Sequence, residues 1–253
     1  MLQGIQTTFT KQILMKSLRD ALKHISFKRT NKNLQKMNAL MHSFCRDAFS
    51  QEGEDLLLLK LLQWKRDGFY LDVGCHHPWR YSNTALLNRD FGWHGMNIDP
   101  LPGTKILFDS VRPKDINIQC GVGDQETDLT YFIFDPPAYS TFDLQKVKQL
   151  EGQVKLTEKR LISVKPLDSI LRETNSLDKT IDFMNIDVEG MELNVLKGMP
   201  FKTIRPHVIC IEALRTKWSE LGNIPAYVFL EETGYDAVAK TVNSLFFVDR
   251  QPN

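Results

Sequence analysis

The sequence predicts an α/β protein: a Rossmann-like, doubly wound and mostly parallel sheet with an antiparallel edge hairpin, preceded by an N-terminal helical extension. From residue 50, short apolar runs typical of buried strands alternate with helical stretches, which favours parallel strands covered by helices on both faces. One apolar run ends in Asp72-Val73-Gly74, as strands do where such a sheet meets its ligand. The last two runs lie close together in the chain and predict the hairpin.

Each predicted element has its own stretch of sequence. Strands are expected in GFYLDVG, GMNIDP, INIQCGVG, TYFIF, RLISVKP, IDFMNIDVEG, HVICIEA, GYDAVAK and SLFFVDR, and helices in SNTALLNRDFG, GMELNVLKGM and residues 224–233. Residues 135–153 interrupt this alternation with prolines and aromatic residues, which indicates a loop and a helix over the edge of the sheet. The chain of 253 residues is long enough for one sizeable domain, expected at 49–253, and an appendage at 1–48.

Composition and cysteine spacing limit the partners, metal sites and cellular compartment that the sequence suggests. The net charge of +1 gives no argument for a nucleic-acid partner. The four cysteines are far apart and form no CxxC pair, which argues against a zinc site of paired thiols and favours a reducing, cytoplasmic compartment. No apolar stretch reaches the roughly 18 residues that a membrane span needs.

The N-terminal extension is basic and amphipathic. Residues 11–27 place leucine, alanine and isoleucine side chains on one helical face and mainly Lys16, Arg19 and Lys23 on the other. Such a helix packs on the main domain or on a second subunit of a homo-oligomer. The alternative is a peripheral contact of the basic face with an anionic membrane surface.

The turn after the first strand favours one cofactor over another. Asp72 and Gly74, with Val73 between them, and Asp99 with Pro100 at the end of the next strand, suit either a dinucleotide or S-adenosylmethionine. The later glycines that bring the backbone close to a pyrophosphate are missing, which disfavours an NAD(P)-dependent oxidoreductase. S-adenosylmethionine carries no phosphate, and Ser82 and Asn83 at the start of the next helix could donate to its carboxylate.

A second group of polar residues is expected at the same edge of the sheet. Asp187 and Glu212 end two later strands, and Glu189 follows Asp187 closely. Together with His76 these are the candidates for orienting an acceptor and removing its proton. Asp187 and Glu212 could instead hold a Mg²⁺ ion, the less favoured interpretation, because the carboxylates can equally cap helices or orient substrate.

These blocks, taken together, resemble the FkbM-type S-adenosylmethionine-dependent methyltransferases. The resemblance is carried by SQEGEDLLL, DVGCHHPWRYSNT, GWHGMNIDP, IDVEGMELNVLKGM and the strand that ends in Glu212. It implies a class I methyltransferase fold and, for many members, O-methylation of sugars, polyketides or related small molecules. It also implies that Gln51 and Glu54 line the amino-acid end of the cofactor and that Val122 and Asp124 lie beside the adenine.

The turn at residues 72–84 departs from the commoner family form DVGxNxGxxS, because His76 replaces the asparagine and the second glycine is absent.

The strand ends and the resemblance together predict a methyltransferase that uses S-adenosylmethionine on an oxygen of a small molecule or glycan. Tyr139, Thr141 and Phe142 would line the wall that selects this acceptor, unless their segment is an ordinary surface excursion. A cofactor-binding scaffold without transfer activity remains the alternative from another class.

Overall fold

A seven-stranded sheet organises the protein in the computed structural model, which describes residues 47–251. Its strand order is β3-β2-β1-β7-β8-β10-β9. The strands of this sheet are β1 (Phe69–Val73), β2 (His94–Ile98), β3 (Ile116–Ile118), β7 (Phe183–Ile186), β8 (Val208–Glu212), β9 (Tyr235–Lys240) and β10 (Ser244–Asp249). The described residues from Ala48 onward form one compact unit, whereas the predicted N-terminal amphipathic helix lies outside the described residues.

The sheet is mostly parallel, and its topology is Rossmann-like, as predicted. The five strands from β3 to β8 run in parallel, and β10 is antiparallel to both of its neighbours. The predicted terminal hairpin is therefore confirmed, with β9 as the edge strand. Parallel registration brings the carboxyl ends of β1, β2 and β7 together, since Asp72 lies beside Asn97 on one side and Asn185 on the other.

Seven helices are described in residues 47–251. They are α1 (Glu54–Leu61), α2 (Ala85–Phe91), α3 (Thr104–Val111), α4 (Leu144–Leu150), α5 (Leu167–Glu173), α6 (Glu192–Lys197) and α7 (Pro225–Glu232). Local sequence sets several of their ends. Helix α2 stops at Gly92 in the left-handed region, and α7 begins with Pro225, whose fixed φ and missing N–H suit the first helical position.

The core lies on both faces of the sheet. Successive residues of β1 point to opposite sides, so Leu71 packs in one buried cluster and Tyr70 in the other. Both are fully buried. A central strand covered on two faces must be apolar at nearly every position, which explains the continuous apolar runs in the sequence. In the central strands β1, β7 and β8 the polar residue lies near the carboxyl end, as Asp72, Asn185 and Glu212.

A second, three-stranded sheet was not expected from the sequence. Two of the predicted strands, TYFIF and RLISVKP, belong to the antiparallel hairpin β5 (Thr127–Asp135) and β6 (Lys155–Lys165), and the short β4 (Gly121–Val122) completes the sheet. Strand β6 is exposed along most of its length and rich in charged residues, so it does not fit in a parallel sheet that is covered on both faces.

The connection between β5 and β6 contains a 3-10 turn (Pro137–Tyr139) and helix α4, in agreement with the loop and helix predicted for residues 135–153. Within the described part of the chain, no helix is both long and apolar enough to cross a bilayer.

Candidate active site

The turn that follows β1 approaches the turn that follows β7 so closely that only glycine fits between them. Gly74 has φ +80°, in the left-handed region, and a Cβ placed on it would lie 1.7 Å from the carbonyl oxygen of Asp187. The sequence suggested that Gly74 makes room for a ligand. The structure adds that Gly74 is required by contact with the protein itself.

Asp99, at the end of β2, is held by backbone amides from two directions. Its carboxylate accepts hydrogen bonds from the N–H of His76 at 2.8 Å and from that of Leu101 at 2.7 Å. Burial raises the pKa of Asp99 to about 6, against the effect of these two bonds. Each carboxylate oxygen has a second lone pair, so Asp99 can still accept from the hydroxyls of a ligand.

Asp72 is buried and already has protein partners for both oxygens. Thr84 Oγ1 donates to one at 2.7 Å, and Asn185 Nδ2 donates to the other at 3.0 Å. Burial raises the pKa of Asp72, and the two hydrogen bonds oppose that rise. Asp72 therefore joins β1 to α2 and β7 at the floor of the site.

Arg112, which the sequence did not single out, organises the loop before α2. It is buried and donates to Thr84 Oγ1 at 2.8 Å, to Ser82 Oγ at 3.1 Å and to the carbonyl oxygen of Pro78. Asn83 is tied separately, since its Nδ2 donates to Asn185 at 2.9 Å. The predicted cofactor residues Ser82 and Asn83 are thus also part of the internal hydrogen-bond network.

His76 and His77 have different surroundings. The backbone of His76 is in the left-handed region with φ +48°, and burial lowers the pKa of its half-buried imidazole. His77 Nδ1 accepts from the backbone N–H of Trp79 and of Arg80, each at 3.0 Å. His77 is therefore a structural residue of the turn, whereas His76 faces the cleft.

The turn after β7 presents the second set of predicted residues. Glu189 has φ +56° and Gly190 φ +110°. Thr141 Oγ1, from the β5–β6 connection, donates to the carbonyl oxygen of Glu189 at 2.9 Å, and Lys146 of α4 forms an ion pair with its carboxylate. The second sheet therefore contacts the site through this connection.

Three carboxylates converge here. One oxygen each of Asp187, Glu189 and Glu212 lies within 4.8 Å of the others. Burial raises the pKa of Glu212 to about 9, and the neighbouring Asp187 adds to the rise. Asp187 is solvent-accessible, but the surrounding protein still desolvates it and Glu192 adds negative charge, so its pKa rises to about 7. Asp187 and Glu212 therefore retain a proton between them near neutral pH.

A cleft joins the two turns and encloses about 1090 Å³ of empty space, including the part that opens to solvent. Its walls include most of the predicted residues. These are Gln51, Asp72, Val73, Gly74, His76, Ser82, Asn83, Asp99, Pro100, Val122, Asp187, Glu189 and Glu212. Glu54 and Asp124 do not line it. Glu54 is buried, where it accepts from the backbone of Glu52 at 2.7 Å, and Asp124 is exposed.

Some wall residues were not among those predicted from the sequence. Ile98, Leu101, Cys120 and Tyr131 add an apolar surface. The three residues predicted for the acceptor wall differ in placement. Phe142 lines the cleft and packs on Tyr131 with ring centroids 4.6 Å apart. Thr141 is buried and Tyr139 is exposed, and neither of them lines the cleft.

The carboxylates and apolar side chains that line this cleft fit S-adenosylmethionine. The apolar side chains beside Asp99 suit an adenine and its ribose, and the cleft contains carboxylates but no lysine or arginine among its described lining residues, which suits a ligand with a sulfonium and an ammonium. Such an arrangement, at the carboxyl edge of a Rossmann-like sheet, is that of a methyltransferase.

Comparison with known proteins gives the family. Residues 72–237 match the model of the methyltransferase FkbM domain, which is more than half of the chain. The protein therefore belongs to the FkbM methyltransferase family, as the sequence motifs predicted.

Among solved structures, the chain is similar to precorrin-6y C5,15-methyltransferase from Geobacter metallireducens GS-15. The identity is 14%, the TM-score is 0.38, and the match covers 81% of this chain and 92% of the other. No curated protein sequence matched.

Proposed function

We propose that this protein transfers a methyl group from S-adenosylmethionine to a hydroxyl oxygen of a small molecule or glycan. The observation that carries the proposal is the position of the Asp187–Glu212 pair, which faces the same cleft as Gly74 and Asp99. Membership of the FkbM family implies S-adenosylmethionine as the cofactor. When bound, S-adenosylmethionine supplies an activated methyl group on a sulfonium.

In this proposal Asp99 and the Gly74 turn hold the cofactor, while the second turn handles the acceptor. Asp187 is the base, because its pKa of about 7 leaves part of it ionised at neutral pH while Glu212 stays protonated. The acceptor oxygen forms a bond to the methyl carbon as the carbon–sulfur bond breaks. Asp187 takes the hydroxyl proton, and protonated Glu212 can donate a hydrogen bond to the acceptor.

His76 is a weaker candidate for the base. Its lowered pKa keeps it neutral and able to accept a proton, but its own backbone N–H supports Asp99 on the cofactor side. We therefore assign His76 to the cofactor turn. We propose Ser82 and Asn83 as further cofactor contacts, in addition to their hydrogen bonds with Arg112 and Asn185.

The open cleft favours an active enzyme over a scaffold that has lost transfer activity. In such a scaffold, side chains would be expected to fill the adenine and ribose walls, whereas here a cleft that opens to solvent remains between the described walls. We also propose a cytoplasmic location, since Cys75, Cys120 and Cys210 are free thiols in the structure.

Calorimetric titration with S-adenosylhomocysteine, with NAD in parallel, tests the cofactor. We expect binding of S-adenosylhomocysteine alone, weakened in Asp99→Ala and unchanged in the control Asp128→Ala, an exposed carboxylate on β5. Binding of NAD instead would refute the cofactor assignment. Silence from both ligands with folded protein would favour the scaffold.

If S-adenosylhomocysteine binds, methyl transfer to a panel of sugar and polyketide acceptors is compared between wild type and Asp187→Asn. The substitution should abolish transfer and leave cofactor binding intact. Equal transfer rates in the two proteins would exclude Asp187 as the base.

A further inference from the structure

Lys146 is a cation that the proposed reaction does not use. It lies on α4, in the connection between β5 and β6, and its ammonium pairs with the carboxylate of Glu189. Both side chains are largely buried, at 15% and 19% exposure. Removing one partner of a desolvated ion pair strongly destabilises the folded protein, because the other charge is left buried and unpaired. Both charges therefore help to hold the site together.

The position of Lys146 is fixed by the fold on both sides of the ion pair. Thr141, five residues earlier, is buried and donates to the backbone of Glu189 at 2.9 Å. Asp143 caps α4 by accepting from the N–H of Gln145 at 2.7 Å, and it packs so closely on Gly190 that a Cβ there would lie 2.9 Å from the Asp143 carboxylate. The helix therefore holds Lys146 against the turn that carries Glu189.

The partner of Lys146 is one of three carboxylates that could together bind a cation. Oxygens of Asp187, Glu189 and Glu212 lie within 4.8 Å of one another, and carboxylate oxygens are the ligands that Mg²⁺ and Ca²⁺ prefer. In this structure, however, the carboxylate of Glu189 is already occupied by an ammonium. The field of Lys146 also reaches Asp187 and Glu212, where it opposes the rise in pKa of both. These residues therefore do not fit a divalent ion while Lys146 is in place.

We infer that Lys146 is the built-in counter-ion of the three carboxylates and takes the position that a divalent cation would need. The FkbM protein thereby orients its acceptor with protein groups alone. Lys146 is in this sense a positioning residue, since it holds the carboxylate of Glu189 beside Asp187 and Glu212. The inference rests on the proposed function only for the statement that an acceptor binds beside these carboxylates.

The test is a titration of the full chain with Mn²⁺ alone, in which free Mn²⁺ is followed by electron paramagnetic resonance. Wild type, Lys146→Met and Lys148→Met are compared, because Lys148 is exposed on the same helix. We expect Lys146→Met to bind one Mn²⁺ at least about tenfold more tightly than wild type, since a lost positive charge leaves three carboxylates to one cation. Lys148→Met should behave as wild type, and adding Glu189→Gln to Lys146→Met should remove the gain.

Two results would overturn the inference. One is stoichiometric Mn²⁺ binding by wild type as tight as that of Lys146→Met. The other is a folded Lys146→Met protein, judged by its thermal melt, that gains no affinity. Should Lys146→Met fail to fold, Lys146→Gln keeps a hydrogen-bond donor for Glu189 and is titrated in its place under the same criteria.

A titration with S-adenosylhomocysteine on the same samples separates this inference from the proposed function. If wild type does not bind S-adenosylhomocysteine, the cofactor assignment is contradicted and the Mn²⁺ comparison is still valid. If transfer is observed, it should persist in EDTA. Transfer that stops in EDTA and returns with Mg²⁺ would contradict the role of Lys146.

Discussion

Replacing Gly74 with alanine should disrupt the contact between the two turns that form the cleft. Gly74 follows β1 and lies against the backbone of Asp187, which follows β7. An alanine methyl group at this position would lie 1.7 Å from the Asp187 carbonyl oxygen, whereas Cβ atoms in real proteins essentially never come closer than 3.0 Å. The two backbones must therefore separate by about 1.3 Å.

The expected cost has two parts. A residue other than glycine in the left-handed region costs about 1–2 kcal/mol. Overpacking adds about 1–3 kcal/mol as the turns move apart. The sum lowers the free energy of unfolding by roughly 2–5 kcal/mol, which for a domain of this size lowers the melting temperature by on the order of 10 °C. The displacement also moves Asp187 relative to Asp99, and a shift near 1 Å can cost about 100-fold in activity.

A matched control isolates the steric part. Gly152 also has a positive φ, +74°, but a Cβ there meets nothing within 4 Å. Gly152→Ala should therefore lower the melting temperature by about 2–8 °C, from the backbone term of about 1–2 kcal/mol alone, and by less than Gly74→Ala. Thermal melts and titrations with S-adenosylhomocysteine are measured on wild type and both variants. Equal melts for the two variants, with unchanged affinity in Gly74→Ala, would refute the argument from close approach.

Three further predictions concern side chains at or beside the cleft. Because burial raises the pKa of Glu212 from 4.5 to about 9, wild type should lose stability as the pH rises from about 4.5 through 9, and Glu212→Gln should show a smaller loss in thermal melts across that range. Arg112→Met should lower the free energy of unfolding in urea by about 1–3 kcal/mol, because it leaves the buried hydroxyls of Ser82 and Thr84 without their donor. Arg160→Met at an exposed site should change little. His76→Gly keeps the backbone N–H that donates to Asp99, and glycine suits φ +48°. The Kd for S-adenosylhomocysteine should therefore change by less than about tenfold. A larger loss of affinity would show that the imidazole itself binds the cofactor.

The sequence predicted the architecture because the pattern of apolar runs depends on burial alone. Central strands such as β1 and β7 are covered on both faces, and their composition records that directly. The apolar pattern correctly predicted strands in TYFIF and RLISVKP, but it did not predict that they pair with each other outside the main sheet. Strand propensity does not specify a partner, because pairing depends on which edge the chain reaches after a turn.

The site divides in the same way. The acidic residues that end strands were predictable, because parallel strands bring their carboxyl ends to one edge, and Asp72, Asp99, Asp187 and Glu212 all reached the cleft. Glu54 was assigned to the cleft from a motif, and the structure places it in a buried contact instead. A motif identifies residues that matter to a family without stating what each one touches.

By itself, the sequence of this protein determined the Rossmann-like class, the sheet edge at which the acidic residues meet and the methyltransferase family. Only the tertiary structure decided that Arg112 holds the first turn, that Gly74 is needed against Asp187 and that Lys146 meets Glu189. The physical reason is the range of the interactions. Periodicity and chain direction are local properties that can be read along the sequence, whereas ion pairs and close backbone contacts join residues that are tens of positions apart and exist only once the chain has folded.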